Sequence, residues 1–157
     1  MDTPHDVHLS GLLNSRTVQA MVPAGNWEDA IRAGGKLLIQ DGAITQDYVE
    51  AMIRNMKTLG PYIVIAPGIA MPHARPESGV KRLGVSLITL ATPIPFGNPD
   101  NDPVSIVFCL AAPDENHHLA MMAEWVQLIA DATKVSAIRQ AATKEELLRV
   151  IASPAAP

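Results

Sequence analysis

His73 lies between two prolines in the sequence Gly68-Ile69-Ala70-Met71-Pro72-His73-Ala74-Arg75-Pro76. A residue that precedes proline is sterically kept out of the helical region, so Met71 and Arg75 are predicted to be extended. The prolines also fix their own φ angles. This stiff segment presents an imidazole whose neutral nitrogen is available near pH 7, as a nucleophile requires. A loop histidine without a chemical role is the alternative that the segment alone leaves open.

A pair of adjacent histidines, His117 and His118, opens a predicted helix over about residues 117–132. On that helix His118 shares a face with Met122 and Trp125 and is predicted to point into the fold, whereas His117 points about 100° away. The unpaired N–H groups and the dipole of a first helical turn favour an anion and keep an imidazole neutral. The face argument favours His118 over His117. A partly buried histidine with a local hydrogen bond is the alternative.

Other chemistries find little support in the residues. The chain has one cysteine, Cys109, which excludes an internal disulfide and a zinc site with paired thiolates. There is no His-Glu-x-x-His pattern and no glycine-rich loop that binds nucleotide phosphates. His5 and His8 are predicted to be bystanders near the N-terminus. We therefore predict no metal and no cofactor.

The elements that must position the histidines are helices at both ends of the chain and strands that cluster in its middle. Strands are predicted over 17–22, 62–65, 83–90 and 104–111, and helices over 27–41, 46–59, 117–132, 135–142 and 147–151, with Asn26, Thr45, Asp114 or Asn116, and Thr143 as caps. The strands 83–90 and 104–111 are almost continuously apolar, which is typical of strands covered on both faces. This pattern predicts an α/β fold, with a mixed central sheet of about four or five strands and helices on both faces.

The size and composition predict one domain. The chain has 157 residues, of which 48% are hydrophobic, and a formal net charge of −4. We expect a single domain over residues 1–157, with loose ends at 1–8 and 153–157. The acidic balance argues against nucleic acid as a partner. The sequence has no signal peptide and no stretch as long as a membrane span, which predicts a cytoplasmic location.

Three segments together resemble a known family. They are the proline-framed segment at 68–76, the strand near 104–112 and the helix start Asn116-His117-His118-Leu119. This combination resembles the enzyme IIA domain of the bacterial phosphotransferase system, of the mannitol/fructose type, over about residues 9–152. Within that type, the runs 60–68 and 101–104 are most similar to the ascorbate-specific branch.

The resemblance implies a phosphotransferase. His73 would accept a phosphoryl group from phospho-HPr and pass it to a cysteine of enzyme IIB, so the membrane component is a partner only indirectly. His118 would support the phosphoryl oxygens, and a shift of one residue in the match would exchange it with His117. A homodimer is compatible with the family.

One departure from the family pattern concerns an arginine. Many sugar-specific members carry Arg-Glu shortly before the Leu-Gly pair, where this chain has Met56-Lys57 followed by Gly60-Pro61-Tyr62. The departure removes an arginine that often lies near the phosphohistidine, so stabilisation of the anion must come from elsewhere. Arg75 is a candidate substrate-binding residue, although its position two residues after His73 also allows it to point outward.

The predicted function is a phosphocarrier for uptake of ascorbate or a related sugar. A regulatory phosphorylation sensor that binds a target protein is the alternative, and a catalytically inert binding domain of the same fold is a third class. Partner proteins would dock around His73. Ile69, Met71 and the segment 93–96 are candidates for that surface, but burial in the core explains Ile69 and Met71 equally well.

Overall fold

The computed structural model describes residues 7–153. The strands in that part of the chain are β1 (Val18–Val22), β2 (Val64–Ala66), β3 (Ile69–Ala70), β4 (Gly84–Ile94) and β5 (Val104–Ala111). The α-helices are α1 (Leu9–Leu12), α2 (Trp27–Gln40), α3 (Gln46–Leu59), α4 (Glu115–Ile129), α5 (Ala132–Gln140) and α6 (Lys144–Ala152). Among these helices, none is both long and apolar enough to cross a membrane.

The ends of the chain are described only in part. His5 and most of the predicted loose ends, 1–8 and 153–157, lie outside the described residues. At the start of the described residues, His8 Nδ1 lies 3.3 Å from Glu124 Oε2, and the backbone N–H of Leu9 donates to Glu124 Oε1. The start of the described chain is therefore attached to α4.

The five strands form one mixed sheet in the order β1-β4-β5-β3-β2. β1 pairs with β4 and β3 pairs with β5 in parallel, whereas β4–β5 and β2–β3 are antiparallel. Helices α2 and α3 contribute to a core on one face of the sheet, and α1, α4, α5 and α6 contribute to a core on the other. The predicted α/β class, with a mixed sheet and helices on both faces, is confirmed.

The central strand β5 shows why its sequence is almost continuously apolar. Val107 and Cys109 belong to the core on the α2–α3 face, while Ile106 and Phe108 belong to the core on the α4–α6 face. Side chains alternate between the faces of a strand, so a strand with two buried faces needs apolar residues at every position. On the second face, Phe108 stacks on Trp125 with ring centroids 4.2 Å apart.

Cys109 is a structural residue. Its side chain is fully buried, as predicted, and burial raises the pKa of the thiol to about 12. The thiol therefore stays protonated at neutral pH, and only the thiolate is a good nucleophile.

Three of the predicted helix caps are confirmed. Asn26, Asp114 and Thr143 each accept a hydrogen bond from the backbone N–H three residues later, which satisfies a donor that the helix itself leaves unpaired. Thr45 occupies the predicted N-cap position of α3, although its side chain makes no cap hydrogen bond. Its backbone N–H instead donates to the Gly79 carbonyl oxygen at 2.9 Å, which fastens the start of α3 to the segment after His73.

Some predicted boundaries differ from the structure. The predicted strand 62–65 is Val64–Ala66, because Val64 N–H donates to the Pro61 carbonyl in a turn that contains Tyr62. The predicted helix 117–132 is Glu115–Ile129 in the structure. The next helix begins at Ala132 instead of residue 135, because the Asp131 side chain accepts from the Thr133 and Lys134 amides and caps it there. Local polar contacts of this kind outweigh the apolar periodicity.

The turn between β2 and β3 leads directly to the segment that carries His73. Gly68 has φ +74°, a conformation that favours glycine. Arg139 of α5 donates from Nη2 to the Pro67 carbonyl at 2.6 Å and from Nε to Ser105 Oγ at 3.0 Å. A side chain of α5 therefore fixes this turn against the start of β5.

Candidate active site

The backbone around His73 is held from both sides. Met71 N–H donates to the Ile63 carbonyl at 2.8 Å, and Leu110 N–H of β5 donates to the Pro72 carbonyl at 3.1 Å. Arg75 is extended, with φ −71° and ψ 149°, as the following proline predicts. These contacts place His73 at the end of β3 in a non-helical segment, as expected from the sequence.

The imidazole of His73 is oriented by its own backbone. Nδ1 lies 2.8 Å from the Met71 carbonyl oxygen. A carbonyl oxygen can only accept a hydrogen bond, so Nδ1 carries the proton of the neutral ring. Nε2 is then the unprotonated nitrogen, and its lone pair is available to attack an electrophile.

The surroundings of His73 favour the neutral ring. Burial lowers the pKa of His73 below its usual value, and the hydrogen bond to the Met71 carbonyl opposes this change only in part. Desolvation disfavours the charged form of a histidine. The ring is therefore neutral at pH 7, which is the state that a nucleophile requires.

His118 lies beside His73. It belongs to the first turn of α4, and the two imidazole centroids are 5.1 Å apart with the rings tilted by 55°. Burial lowers the pKa of His118, the nearby His73 lowers it further, and Glu115 acts in the opposite direction. A neutral His118 can donate one hydrogen bond to a group bound at His73.

His117 is turned to a different partner. Its Nδ1 lies 2.8 Å from both carboxylate oxygens of Asp114, and its backbone N–H donates to the same carboxylate. The hydrogen bond from the His117 amide is the largest cause of a lowered Asp114 pKa. Of the two adjacent histidines, the structure therefore places His118 and not His117 next to His73.

A cleft of about 670 Å³ opens over the two histidines. It is lined by His73, His118 and Arg75, with further residues from α3, from the turn before β2 and from the start of α4. Arg75 is exposed and borders the cleft, so its side chain can reach an anion bound there. The structure thus brings three of the predicted site residues to one cleft.

Arg54 is a cleft residue that the sequence analysis missed. It lies on the exposed side of α3, and together with Ala51, Asn55 and Thr58 it lines the same cleft as His73. The arginine that many sugar-specific members carry is absent here, where Met56-Lys57 stands, but Arg54 of the same helix borders the cleft. The sequence pattern that could have placed Arg54 at the site is the spacing of residues 51, 54, 55 and 58, which puts them on one face of a helix.

Tyr62 was also missed, because it was assigned to a strand. Its ring packs edge-on against His73, with centroids 5.8 Å apart and planes at 89°. The side chain is 45% exposed and lines the cleft. Asn98 supports the turn that carries Tyr62 by donating to the Pro61 carbonyl at 3.4 Å. His73 therefore has Tyr62 and His118 as aromatic neighbours.

The apolar residues proposed for docking are largely core residues. No more than 3% of the surface of Ile69, Met71 or Phe96 is exposed. All three are therefore core residues and not part of an exposed docking surface. The exposed apolar side chains on the cleft are instead Leu59 and Tyr62. Within residues 7–153, no three His, Cys, Asp or Glu side chains gather closely enough to hold a metal ion.

Comparison with known proteins identifies the family. Residues 11–153 match the family described as phosphoenolpyruvate-dependent sugar phosphotransferase system, EIIA 2. The chain belongs to this family. The predicted family and the predicted phosphotransferase class are confirmed for this enzyme IIA.

Individual relatives agree with this membership. The ascorbate-specific PTS system EIIA component of Escherichia coli K12 is 38% identical over 141 residues, which cover 89% of this chain and 92% of that protein. The solution structure of the mannitol-specific cryptic phosphotransferase enzyme IIA CmtB from Escherichia coli is 28% identical, with a TM-score of 0.84 over 92% of this chain and 98% of that chain. The enzyme IIA of the Escherichia coli complex of enzyme IIAMtl and phosphorylated enzyme IIBMtl shares the fold at 24% identity, with a TM-score of 0.78 over 90% and 99% of the two chains.

Proposed function

We propose that this enzyme IIA is a phosphocarrier that takes a phosphoryl group from phospho-HPr on Nε2 of His73 and passes it to enzyme IIB. The observation that carries the proposal is the 2.8 Å contact between His73 Nδ1 and the Met71 carbonyl oxygen. It assigns the proton to Nδ1 and the nucleophilic lone pair to Nε2. His118, at a centroid distance of 5.1 Å, is the proposed supporting residue.

The two transfers are nucleophilic substitutions at phosphorus. In the first, the Nε2 lone pair forms a new N–P bond while the N–P bond of the donor breaks and its electron pair returns to the donor imidazole. In the second, a cysteine thiolate of enzyme IIB forms an S–P bond, and the electron pair of the His73 N–P bond returns to Nε2. The Nδ1 proton stays in place throughout, and neither step needs a metal or a cofactor for its balance.

The cleft supplies groups that can stabilise the transition state. Its charge spreads over three equatorial oxygens, so catalysis depends on positioning and electrostatics. We propose that His118 donates a hydrogen bond to one oxygen and that Arg54 and Arg75, which line the cleft, approach the others. Both arginines are exposed. Solvent screens such charges, so the phosphoryl group is held without being trapped.

The names of the relatives suggest the substrate class. An ascorbate-specific EIIA component is 38% identical over most of the chain, which supports ascorbate or a related sugar as the transported molecule. The membrane component would then be reached only through enzyme IIB. A mannitol enzyme IIA with this fold was solved in complex with phosphorylated enzyme IIB, which supports that acceptor. We place the relay in the cytoplasm.

Phosphorylation of purified proteins tests the proposal. Incubation with enzyme I, HPr and phosphoenolpyruvate should add one acid-labile, alkali-stable phosphoryl group to the wild type and to His117→Gln, and none to His73→Gln. Addition of purified enzyme IIB should then remove the group from His73. Labelling of His73→Gln at the wild-type level would overturn the assignment of the residue. A labelled chain that transfers to no cognate enzyme IIB would overturn the carrier role in favour of a regulatory sensor.

A further inference from the structure

The hydroxyl of Tyr48 joins three parts of the chain beneath His73. Tyr48 lies in the first turn of α3 and is fully buried. Its oxygen accepts a hydrogen bond from the Ala74 N–H at 2.9 Å and lies 2.8 Å from the Leu110 carbonyl oxygen of β5, to which the O–H donates. The Ala74 carbonyl oxygen, at 3.1 Å, is the more distant acceptor for the same O–H. The hydroxyl therefore connects α3, the residue after His73 and the C-terminal end of the central strand β5.

The same strand residue binds the segment before His73. Leu110 N–H donates to the Pro72 carbonyl at 3.1 Å, while its carbonyl accepts from Tyr48. The peptide groups on both sides of His73 are thus fixed to β5, one directly and the other through the Tyr48 oxygen. With both peptide groups fixed, the His73 backbone is held in the conformation in which Nδ1 lies 2.8 Å from the Met71 carbonyl oxygen.

Burial gives the Tyr48 hydroxyl a constant protonation state. It raises the pKa of the phenol above its ordinary value, and the hydrogen bond from Ala74 opposes this change only in part. The group therefore donates and accepts unchanged over the pH range in which histidines titrate.

We propose that Tyr48 is a positioning residue for phosphoryl transfer, which orients the His73 imidazole and selects its Nδ1-protonated form through the Ala74 amide. This inference rests on the proposed function for its catalytic consequence. Tyr48 is not among the residues that line the cleft, and its role does not require contact with the phosphoryl group. Small displacements of a reacting atom cost large factors in rate, and the Tyr48 oxygen restrains such a displacement.

The substitution Tyr48→Phe removes only the oxygen atom. The Ala74 amide then loses its acceptor, and the segment at 72–74 is held from one side. We expect the population of His73 protonated at Nδ1 to fall, as read from the ¹⁵N chemical shifts of its ring nitrogens. We also expect the rate of phosphorylation by phospho-HPr to fall by about 10-fold or more.

Thr89→Val is the matched control. Thr89 is 1% exposed, and its hydroxyl oxygen accepts from the Met21 N–H at 2.9 Å, so the variant also removes a buried hydroxyl that accepts from a main-chain amide. Thr89 lies on β4 opposite Ile106, away from the Leu110 end of β5. Thr89→Val should lose a comparable amount of stability but keep the wild-type ring shifts and rate.

Two results would overturn the proposal. One is a Tyr48→Phe protein with the ring shifts of the wild type, and the other is an equal change of the shifts in Thr89→Val. If Tyr48→Phe does not fold, 3-fluorotyrosine at position 48 weakens the acceptor with little change in shape, and unchanged His73 ring shifts would then overturn the proposal. The shifts are measured without any phosphoryl donor. A wild type that phospho-HPr does not label would therefore refute the proposed function and leave the orientation of His73 by Tyr48 to be decided by the shifts.

Discussion

The imidazole rings of His73 and His118 lie 5.1 Å apart, although one follows a two-residue strand and the other belongs to the first turn of α4. Both rings are neutral at pH 7, because burial lowers the pKa of each. The Nδ1 proton of His73 is engaged by a carbonyl oxygen, which leaves Nε2 as the nitrogen that we propose accepts the phosphoryl group. The pair can thus divide the chemistry into one attacking nitrogen and one supporting donor.

The supporting role of His118 is tested by comparison with its neighbour. His118→Ala should slow phosphorylation of His73 by roughly 10²-fold, because a donor aimed at developing charge is lost. His117→Ala should change the rate by much less, since the His117 ring is turned to Asp114. Rapid-quench measurement of phosphoryl gain gives both rates. Equal losses in the two variants would contradict the assignment.

Phosphorylation should raise the pKa of His118. The phosphoryl group brings about −1.5 to −2 charges close to the ring, and a neighbouring negative charge favours the imidazolium. NMR titration of the His118 ring before and after labelling measures the change. A His118 titration curve that labelling leaves unchanged would place the phosphoryl group away from this ring.

Folding stability should depend on pH through the same two histidines. Their pKa values are lowered in the folded chain, so the unfolded chain takes up protons first as the pH falls. The stability they contribute is present above about pH 6.5 and is lost as the pH falls through the folded-state pKa values. Urea unfolding at about pH 7.5 and about pH 5 should show a larger loss for the wild type than for the double variant His73→Gln/His118→Gln. An equal loss would show that folding does not lower the pKa values of these two rings.

Arg54 should contribute modestly to phosphoryl transfer. It is exposed and lines the cleft, so Arg54→Gln should slow the reaction by less than about 10-fold, in keeping with the small energies of screened charges. Lys57→Gln removes an exposed charge from the same helix, where Lys57 pairs with Glu28. That control should keep the wild-type rate. The effect of Arg54→Gln should also shrink at high salt, and an effect independent of salt would argue against a charge contribution.

A methyl group at position 79 should disrupt the segment after His73. Gly79 has φ +142°, and a Cβ there would collide with Thr45 Oγ1 and lie 3.1 Å from the Tyr48 backbone nitrogen. Gly42 has φ +79° but no atom within 4 Å of such a Cβ. Gly42→Ala should therefore lower the free energy of unfolding by about 1 kcal/mol, and Gly79→Ala by about 3 kcal/mol. Thermal or urea unfolding compares them, and equal losses would mean that the collision is relieved without cost.

Local sequence signals predicted much of the fold. Asn26, Asp114 and Thr143 cap their helices as expected, because a cap depends on residues within one turn of each other. The stiff segment of His73 was predicted for the same reason, since proline acts on its immediate neighbour. Strand order was beyond such reasoning, because β3 pairs with β5 through contacts between distant parts of the chain.

The parts of the site that were missed depend on those long-range contacts. Tyr62 packs on His73 from a turn that Asn98 of another loop binds. The Tyr48 hydroxyl meets Ala74 and Leu110 only after α3 packs on the sheet. An apolar period locates Tyr48 in the core, but it carries no information about which backbone groups its oxygen will meet.

The two-residue length of β3 has a consequence for how activity arises during folding. Such a short strand has too few pairs to persist alone, and here it lies between β5 and β2, with the turn before it held by Arg139. The reactive geometry of His73 is therefore a property of the assembled sheet, and a peptide spanning 68–76 would lack it. We therefore expect labelling of this histidine to report the fraction of molecules that are native, and we expect a partly folded chain in the cell to draw no phosphoryl groups from the relay.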